Sequence, residues 1–336
     1  MALLTRLRPS STAKLFWARH FHDAPAELEA ALVARLRGCF CVCYEMPPYL
    51  GRLLDRHGIG HIDLRVHPVR FMDDLLFAAR CSNADVQRRL VGQSVSHTEV
   101  LATIGLREAM LDLVQPARMP PDTLLVLGQQ RWDSSQIASD GFFDPEARID
   151  VIERLCGRHQ TVAIKPHPNG ADGPLIEIVQ RLRPDAVVAE DNVYRLLSCP
   201  NVAAVLSVNS SVAIEAELFG KPSHTLAPQP IRASWRGDAL GSAYYASVDD
   251  FFLTTDFWRL VLQPHIAVTA LDGERLPAKP NRLRLALGAF WNFQQIDTDL
   301  IPRPAPVGIT RATWHTAMRL KHAGRSMAAA LSAMLF

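Results

Sequence analysis

Two short polar motifs each follow an apolar run: Lys165-Pro166-His167-Pro168 after 161–164, and Asn209-Ser210-Ser211 after 202–208. A histidine set between two prolines is held rigidly. It can donate a hydrogen bond to a phosphate or protonate a leaving group. Lys165 offers a point charge to the same anion. The Ser210-Ser211 pair falls where an apolar run turns into a helical pattern. The first N–H groups of a helix are unpaired there and its dipole favours an anion. Glu215 follows one turn later on the same helix face, where a carboxylate can accept hydrogen bonds from a ribose. Asp133 comes a few residues after a third apolar run, 124–127, with Gln129 before it. A carboxylate so placed can be a base, a nucleophile or a helix cap. Glu45, and the group from His67 to Asp74 that includes Arg70, follow two shorter apolar runs in the first third of the chain. Arginine binds carboxylates bidentately.

Each motif also has an ordinary reading. Serine is a preferred N-cap, Lys-Pro-His-Pro can be a solvent-facing loop, and a cap is the default for Asp133. Arg70 can pair with Asp73 or Asp74 along a helix. Asp297-Thr298-Asp299 has metal-binding spacing but reads as a turn or cap in an irregular, Pro-flanked segment. There is no GxGxxG, Walker loop, HExxH or serine elbow.

The elements that would position these groups alternate between strand and helix. In the first part, apolar spacing predicts a helix over 12–37, a strand over 39–44, a helix over 49–57 and a strand over 62–66. Helices over 69–79, 83–92 and 97–114 follow. Prolines 116, 120 and 121 mark a boundary. Beyond it, strands are expected at 124–127, 162–165, 186–190, 203–208 and 224–226. Helices are expected at 145–157, 173–183, 192–198 and 211–219, and another over 248–261. Such alternation predicts an α/β fold with a parallel, doubly wound sheet, whose ligands bind at the carboxyl ends of the strands. Residues 272–285 are Pro-rich and basic, 288–294 are aromatic, and 312–336 read as an amphipathic helix.

A chain of 336 residues suits two domains. With 48% hydrophobic residues it reads as globular rather than disordered. The net charge of +2 gives no whole-molecule argument for nucleic acid. No apolar run reaches the ~20 residues that span a bilayer, and the N-terminus lacks the apolar core of a signal peptide. Cys39, Cys41 and Cys43 would share one strand face, a spacing unlike a zinc knuckle. The six cysteines are expected to be reduced, with Cys81, Cys156 and Cys199 in or beside helices.

Four stretches carry a family resemblance: CYEMPPYL at 43–50, HPVRFMDDLLFAAR at 67–80, LLVLGQQRWDSS at 124–135, and AIKPHP together with SVNSSVAIEAELFGKP. In order, they resemble the retaining β-Kdo glycosyltransferases of bacterial capsule and lipopolysaccharide assembly. Kdo is 3-deoxy-D-manno-octulosonic acid. The His-Pro and Ser-Ser motifs also resemble the CMP-binding motifs of bacterial sialyltransferases.

The resemblance implies a GT-B-like architecture, two Rossmann-like domains facing across a cleft. The expected division is an acceptor-side α/β domain at 1–117, a nucleotide-sugar-binding Rossmann-like domain at 118–265, and a helical segment at 266–336 packing back on the first domain. His167, Ser210 and Ser211 would hold the CMP phosphate, with Lys165, Gln129 and Asn209 in the same substrate site and Glu215 on the ribose. Asp133 would be the nucleophile of a double displacement. Glu45 becomes the candidate acid/base, and Arg70 the candidate partner of the Kdo carboxylate or the acceptor. CMP-Kdo is the implied donor and a glycan or glycolipid the acceptor, with no metal or other cofactor and no nucleic acid. A cytoplasmic enzyme is expected, with peripheral contact at the inner face of the inner membrane through the acid-free basic segment after Leu300. Two alternatives stand beside this reading. One is an inverting CMP-sialic acid or other nucleotide-sugar transferase with Asp133 as base. The other is a non-catalytic scaffold of a polysaccharide assembly complex.

Overall fold

In the computed structural model, helix α1 (Ala26–Leu36) starts after Pro25 and turns Val33 inward. Strand β1 (Cys41–Tyr44) alternates half-buried cysteines with exposed Val42 and Tyr44. Pro48 opens α2 (Pro48–Arg56), where its missing N–H costs nothing. Next come β2 (His61–Val66), β3 (Phe77–Cys81), α3 (Ala84–Gly92) and α4 (His97–Asp112). Asn83 caps α3 by accepting from the Asp85 and Val86 N–H groups. The second sheet begins with β4 (Thr123–Leu127), all of it buried. A small hairpin of β5 (Ile137–Ala138) and β6 (Gly141–Phe142) precedes α5 (Ile149–Arg158). Then follow β7 (Thr161–Lys165), α6 (Pro174–Leu182), β8 (Val187–Val188), α7 (Val193–Leu197), β9 (Val202–Ser207), α8 (Ser211–Leu218) and β10 (Ser223–Thr225). The chain continues with β11 (Ala233–Ser234), β12 (Tyr245–Val248) and α9 (Thr255–Leu262).

The structure describes residues 20–23, 25–112, 117–138, 141–167, 173–238, 244–263, 265–269 and 283–284. All lie in one compact unit, Met1–Gln294; a second unit, Gln295–Phe336, lies wholly outside the described residues. The expectations for 12–19, for the Pro-rich and aromatic segments apart from 283–284, for Asp297-Thr298-Asp299 and for the helix at 312–336 therefore fall outside them.

Two five-stranded sheets organise the chain. The second has the order β10-β9-β4-β7-β8, and every pairing in it is parallel. Its earliest strand is central and later strands add on both sides, the doubly wound arrangement. Its helices bury apolar faces against it, with Ile152, Leu155, Leu175, Ile178 and Val179 packing on Leu124, Val126, Ile164 and Leu206. The first sheet is mixed, in the order β1-β2-β3-β12-β11. β3 runs antiparallel to both β2 and β12. The expected 118–265 segment thus contributes β11 and β12 to the first sheet and packs α9 on it, where Ala246, Val248, Phe257 and Val261 join its core.

Three local expectations are corrected. Residues 69–79 are not a helix: an irregular segment leads into β3. Phe71 is fully buried between Tyr194 and Phe219. The backbone groups of 70 and 72 bond to distant side chains instead of to one another. Tertiary partners therefore win over helical spacing, and Cys81 ends a strand. Residues 248–261 begin in β12, pass a 3-10 turn capped by Asp249, and enter α9 only after Thr254 caps it. Cys39 precedes β1 rather than sharing its face; Cys41 and Cys43 pack against the cluster of Met46, Leu54 and Ile59. All six cysteines are free, and burial pushes the Cys43 thiol up to about 11.

Candidate functional site

The switch point of the parallel sheet lies between β4 and β9, the place where such sheets open a crevice. Gln129 and Asn209 stand there, both buried. Gln129 Nε2 donates to Asn209 Oδ1 at 2.9 Å and to Ser135 Oγ at 3.1 Å, and its Oε1 accepts from the Asn209 N–H at 3.2 Å. Asn209 Nδ2 donates to the Ser135 and Pro228 carbonyls. Both amides are spent on tying the β4 loop to the β9 loop, so the structure gives them a bracing role around the crevice. Gly173, just before α6, sits against the same loop and donates its N–H to Gln129 O at 2.8 Å.

Beside this brace opens a cavity of about 100 Å³. It has room for a phosphate-sized group, since one water needs roughly 10–15 Å³ of such space. Lys165, Pro166 and His167 reach it from the end of β7, Ser210, Ser211 and Glu215 from α8, Val193 and Tyr194 from α7, and Arg70 from the segment after β2. Six residues singled out by sequence thus meet in one place. Arg284 completes the wall.

The groups are not equivalent. Ser210 is the N-cap of α8 and its Oγ accepts from the Val212 N–H at 3.3 Å. The ordinary reading of Ser210 therefore holds, while the Ser211 hydroxyl has no hydrogen-bond partner among the described residues. Lys165 Nζ donates to Glu190 O at 3.2 Å. Burial lowers its pKa, with Asp191 and Glu190 pulling the other way.

Glu215 is fully buried. Its Oε1 accepts from the Arg70 N–H at 2.7 Å and from the Tyr194 hydroxyl at 2.9 Å. Its Oε2 has no hydrogen-bond partner among the described residues. Burial pushes its carboxyl up to about 7, against the Arg70 N–H and charge, Tyr194 and Arg284. A buried acceptor oxygen beside a cavity is costly unless a ligand satisfies it.

Arg284 escaped the sequence reading, and Asp74 entered it only within the His67–Asp74 group and as a local partner for Arg70. Arg284 is fully buried and its Nη2 donates to the Arg70 and Met72 carbonyls, both at 2.8 Å. The Asp74 carboxylate accepts from the Leu283, Arg284 and Leu75 N–H groups. Asp73 pairs with Arg107 at 3.0 Å, so the local pairing of Arg70 with an i+3 or i+4 aspartate has no helix to support it. A run of uncompensated charge near 70–74 was the available signal; its partner lies more than two hundred residues away. His67, in the same run, is fully buried and does not line the cavity. Its Nε2 donates to Ser247 Oγ at 3.0 Å, its Nδ1 accepts from the Val69 N–H, and burial pushes it down to about 3. It is a structural, neutral histidine.

Asp133 and Glu45 stand outside the cavity wall. Asp133 caps a 3-10 turn, Oδ1 accepting from the Ser135 N–H at 2.9 Å, while its Oδ2 has no hydrogen bond among the described residues. Glu45 is exposed as a residue, yet desolvation of its carboxyl raises its pKa; the Asp133 charge adds to the rise, and Arg65 and Arg70 oppose it. The Asp133 charge thus acts on the Glu45 carboxyl, and Arg70 both opposes that rise and lines the cavity. Among the described residues no group of three or more His, Cys, Asp or Glu could hold a metal, and no helix is long and apolar enough to cross a membrane.

No family model matches the chain, and no curated protein matches it in sequence. Among solved structures it is similar to Thermosulfurimonas dismutans KpsC, a beta Kdo 2,7 transferase, at 14% identity and a TM-score of 0.37 over 66% of this chain and 78% of that one. A beta Kdo 2,4 transferase structure of KpsC from the same organism matches at 12% identity and a TM-score of 0.35 over 66% and 86%. Likeness at this level does not set a function, which rests on the cavity and the carboxylates beside it.

Proposed function

We propose that the chain is a glycosyltransferase that moves Kdo from CMP-Kdo to a glycan or glycolipid acceptor, with net retention. The observation that carries this reading is the convergence of Lys165, His167, Ser211, Arg70 and Glu215 on one small cavity at the carboxyl edge of a parallel sheet. Cations and a helix N-terminus suit the phosphate of CMP. Glu215 Oε2 suits a ribose hydroxyl, which would satisfy the buried acceptor.

In the proposed reaction the Asp133 carboxylate attacks the anomeric carbon of Kdo, and the bond to the CMP phosphate oxygen breaks. Lys165 and His167 stabilise the negative charge that develops on the departing phosphate. An acceptor hydroxyl, deprotonated by Glu45, then displaces Asp133, and the second inversion restores the original configuration. Two carboxylates, with the Asp133 charge acting on the Glu45 carboxyl, suit this double displacement better than a single-base inverting route. The two sheets would face each other as the halves of a GT-B-like enzyme. Donor and acceptor are the partners of this reading, with a site of action at the cytoplasmic face of a membrane.

Calorimetry with CMP tests the site. His167→Ala and Lys165→Ala should each weaken CMP about tenfold or more, the worth of a charged hydrogen bond. Unchanged affinity in both variants would remove the cavity from the account.

A further inference from the structure

Two non-glycine residues among those described have positive φ, Glu45 at 49° and Asp122 at 51°. Aspartate tolerates this region because its short side chain bonds locally. The Asp122 carboxylate is in addition held by groups distant in sequence, accepting from the Gln160 N–H and pairing with His159 at 2.7 Å. Glutamate has no such help, so Glu45 must be held from outside.

The holding groups come from β2, and β12 braces them. The Glu45 N–H continues the β1–β2 ladder by donating to Leu64 O at 2.8 Å. The next two peptides are each held once: the Met46 N–H donates to Asp63 Oδ1 at 3.0 Å, and Met46 O, one peptide further on, accepts from Arg65 Nη2 at 2.5 Å. The peptides on either side of the Glu45 Cα are thus both tied, which determines its φ and ψ. Asp63 is fully buried, and its Oδ2 accepts from Arg65 Nε and from the Tyr245 hydroxyl, each at 2.7 Å. Arg65 and Arg80 both lie over the Tyr245 ring. A buried ion pair is a weak source of stability compared with apolar packing. Strained backbone persists at functional sites when its surroundings over-determine it.

We propose that Asp63, Arg65 and Tyr245 are positioning residues that hold the strained Glu45 backbone and so aim its carboxylate toward Asp133. This rests on the reading of Glu45 as the acid/base. The groups facing Glu45 are Tyr44 beside it, Arg65 from β2, Arg70 from the segment after β2, and Asp133 from the loop after β4. With the brace intact, Glu45 keeps its desolvated place near Asp133 and its raised pKa. Once the brace loosens, the carboxyl moves into water and titrates as an ordinary glutamate.

The test uses Tyr245→Phe, which deletes one hydroxyl and leaves the ring under both arginines, and Arg65→Lys, which keeps the charge but loses the fork that spans Asp63 and Met46 O. Glu45 is followed by carboxyl NMR of protein labelled with ¹³C-glutamate, its resonance identified by its loss in Glu45→Gln. The expected result is a Glu45 titration shifted down toward free glutamate in both variants. Steady-state CMP release from CMP-Kdo should fall about tenfold to a hundredfold in kcat, the scale of small misplacements, with KM little changed. Wild-type titration of Glu45 in either folded variant would overturn the proposal. If the wild-type protein releases no CMP from CMP-Kdo, the transferase reading fails, while the titration still judges the brace.

Discussion

At the carboxyl edge of the parallel sheet, Lys165, His167, Ser210 and Ser211 arrive together because β7 and β9 end there. At the edge of the mixed sheet, Glu45 arrives because β2 side chains, braced by Tyr245 of β12, hold the backbone beside it. The parallel sheet is packed almost wholly by apolar side chains. The mixed sheet buries Asp63, His67, Ser94, Ser234, Ser247 and Tyr245 in hydrogen-bonded chains. One sheet positions chemistry by topology and the other by polar bracing. The two should therefore fail in different ways.

The largest effect should come from removing a polar partner in the mixed sheet. Asp63→Ala leaves Arg65, Tyr245 and the Met46 N–H without their acceptor and should cost about 3–5 kcal/mol in chemical denaturation. In the parallel sheet the equivalent damage comes from lost volume. Leu125→Ala, at a fully buried position of the central strand β4, should cost about 2–5 kcal/mol. A loss near zero for Asp63→Ala would break the contrast.

Glu215 sharpens the comparison, because it is the buried charge of the parallel side. Its folded pKa of about 7 lies above the ordinary value of 4.5. The folded state then holds more protons than the unfolded state between these values, so stability is greatest at low pH and falls as pH rises through this window. Glu215→Gln should remove that fall, gaining on wild type as pH increases from 5 to about 7, as read by thermal melts across pH. Ligand binding should run the other way. If the carboxylate accepts a ribose hydroxyl, wild-type affinity for CMP weakens below about pH 7, and the Gln variant shows no such slope. Parallel melting curves for the two proteins across this range would contradict the assignment.

The smallest effect concerns the strain at Glu45. A non-glycine residue in the left-handed region costs roughly 1–2 kcal/mol. Glu45→Gly should therefore be more stable than Glu45→Ala by about that amount, although both lose the carboxylate. Equal stabilities would mean that the positive φ of Glu45 carries no strain.

This contrast also explains what could be read from the sequence. Apolar runs such as 124–127, 161–165 and 202–207 are buried on both faces, so strand, motif and helix follow one another in the chain. The cavity residues His167, Ser211 and Glu215 were legible for that reason. The mixed sheet hides its logic because its partners are distant in sequence. Residues 69–79 show helical spacing, yet Glu215, Asp74 and Arg284 claim their backbone groups or those of their partners. Arg284 looks like one basic residue among several in a Pro-rich stretch; only the fold brings it to the Arg70 and Met72 carbonyls. Gln129 and Asn209 sit where expected but use their amides on each other, which spacing alone does not distinguish from ligand binding.

The central claim is that Asp133 is a nucleophile toward a CMP-activated Kdo, and intact-mass spectrometry during turnover reads it directly. Wild-type protein incubated with CMP-Kdo should gain the mass of one Kdo unit and release CMP, while Asp133→Ala should show neither. CMP release without any adduct on wild type, or an adduct that survives in Asp133→Ala, would contradict the account.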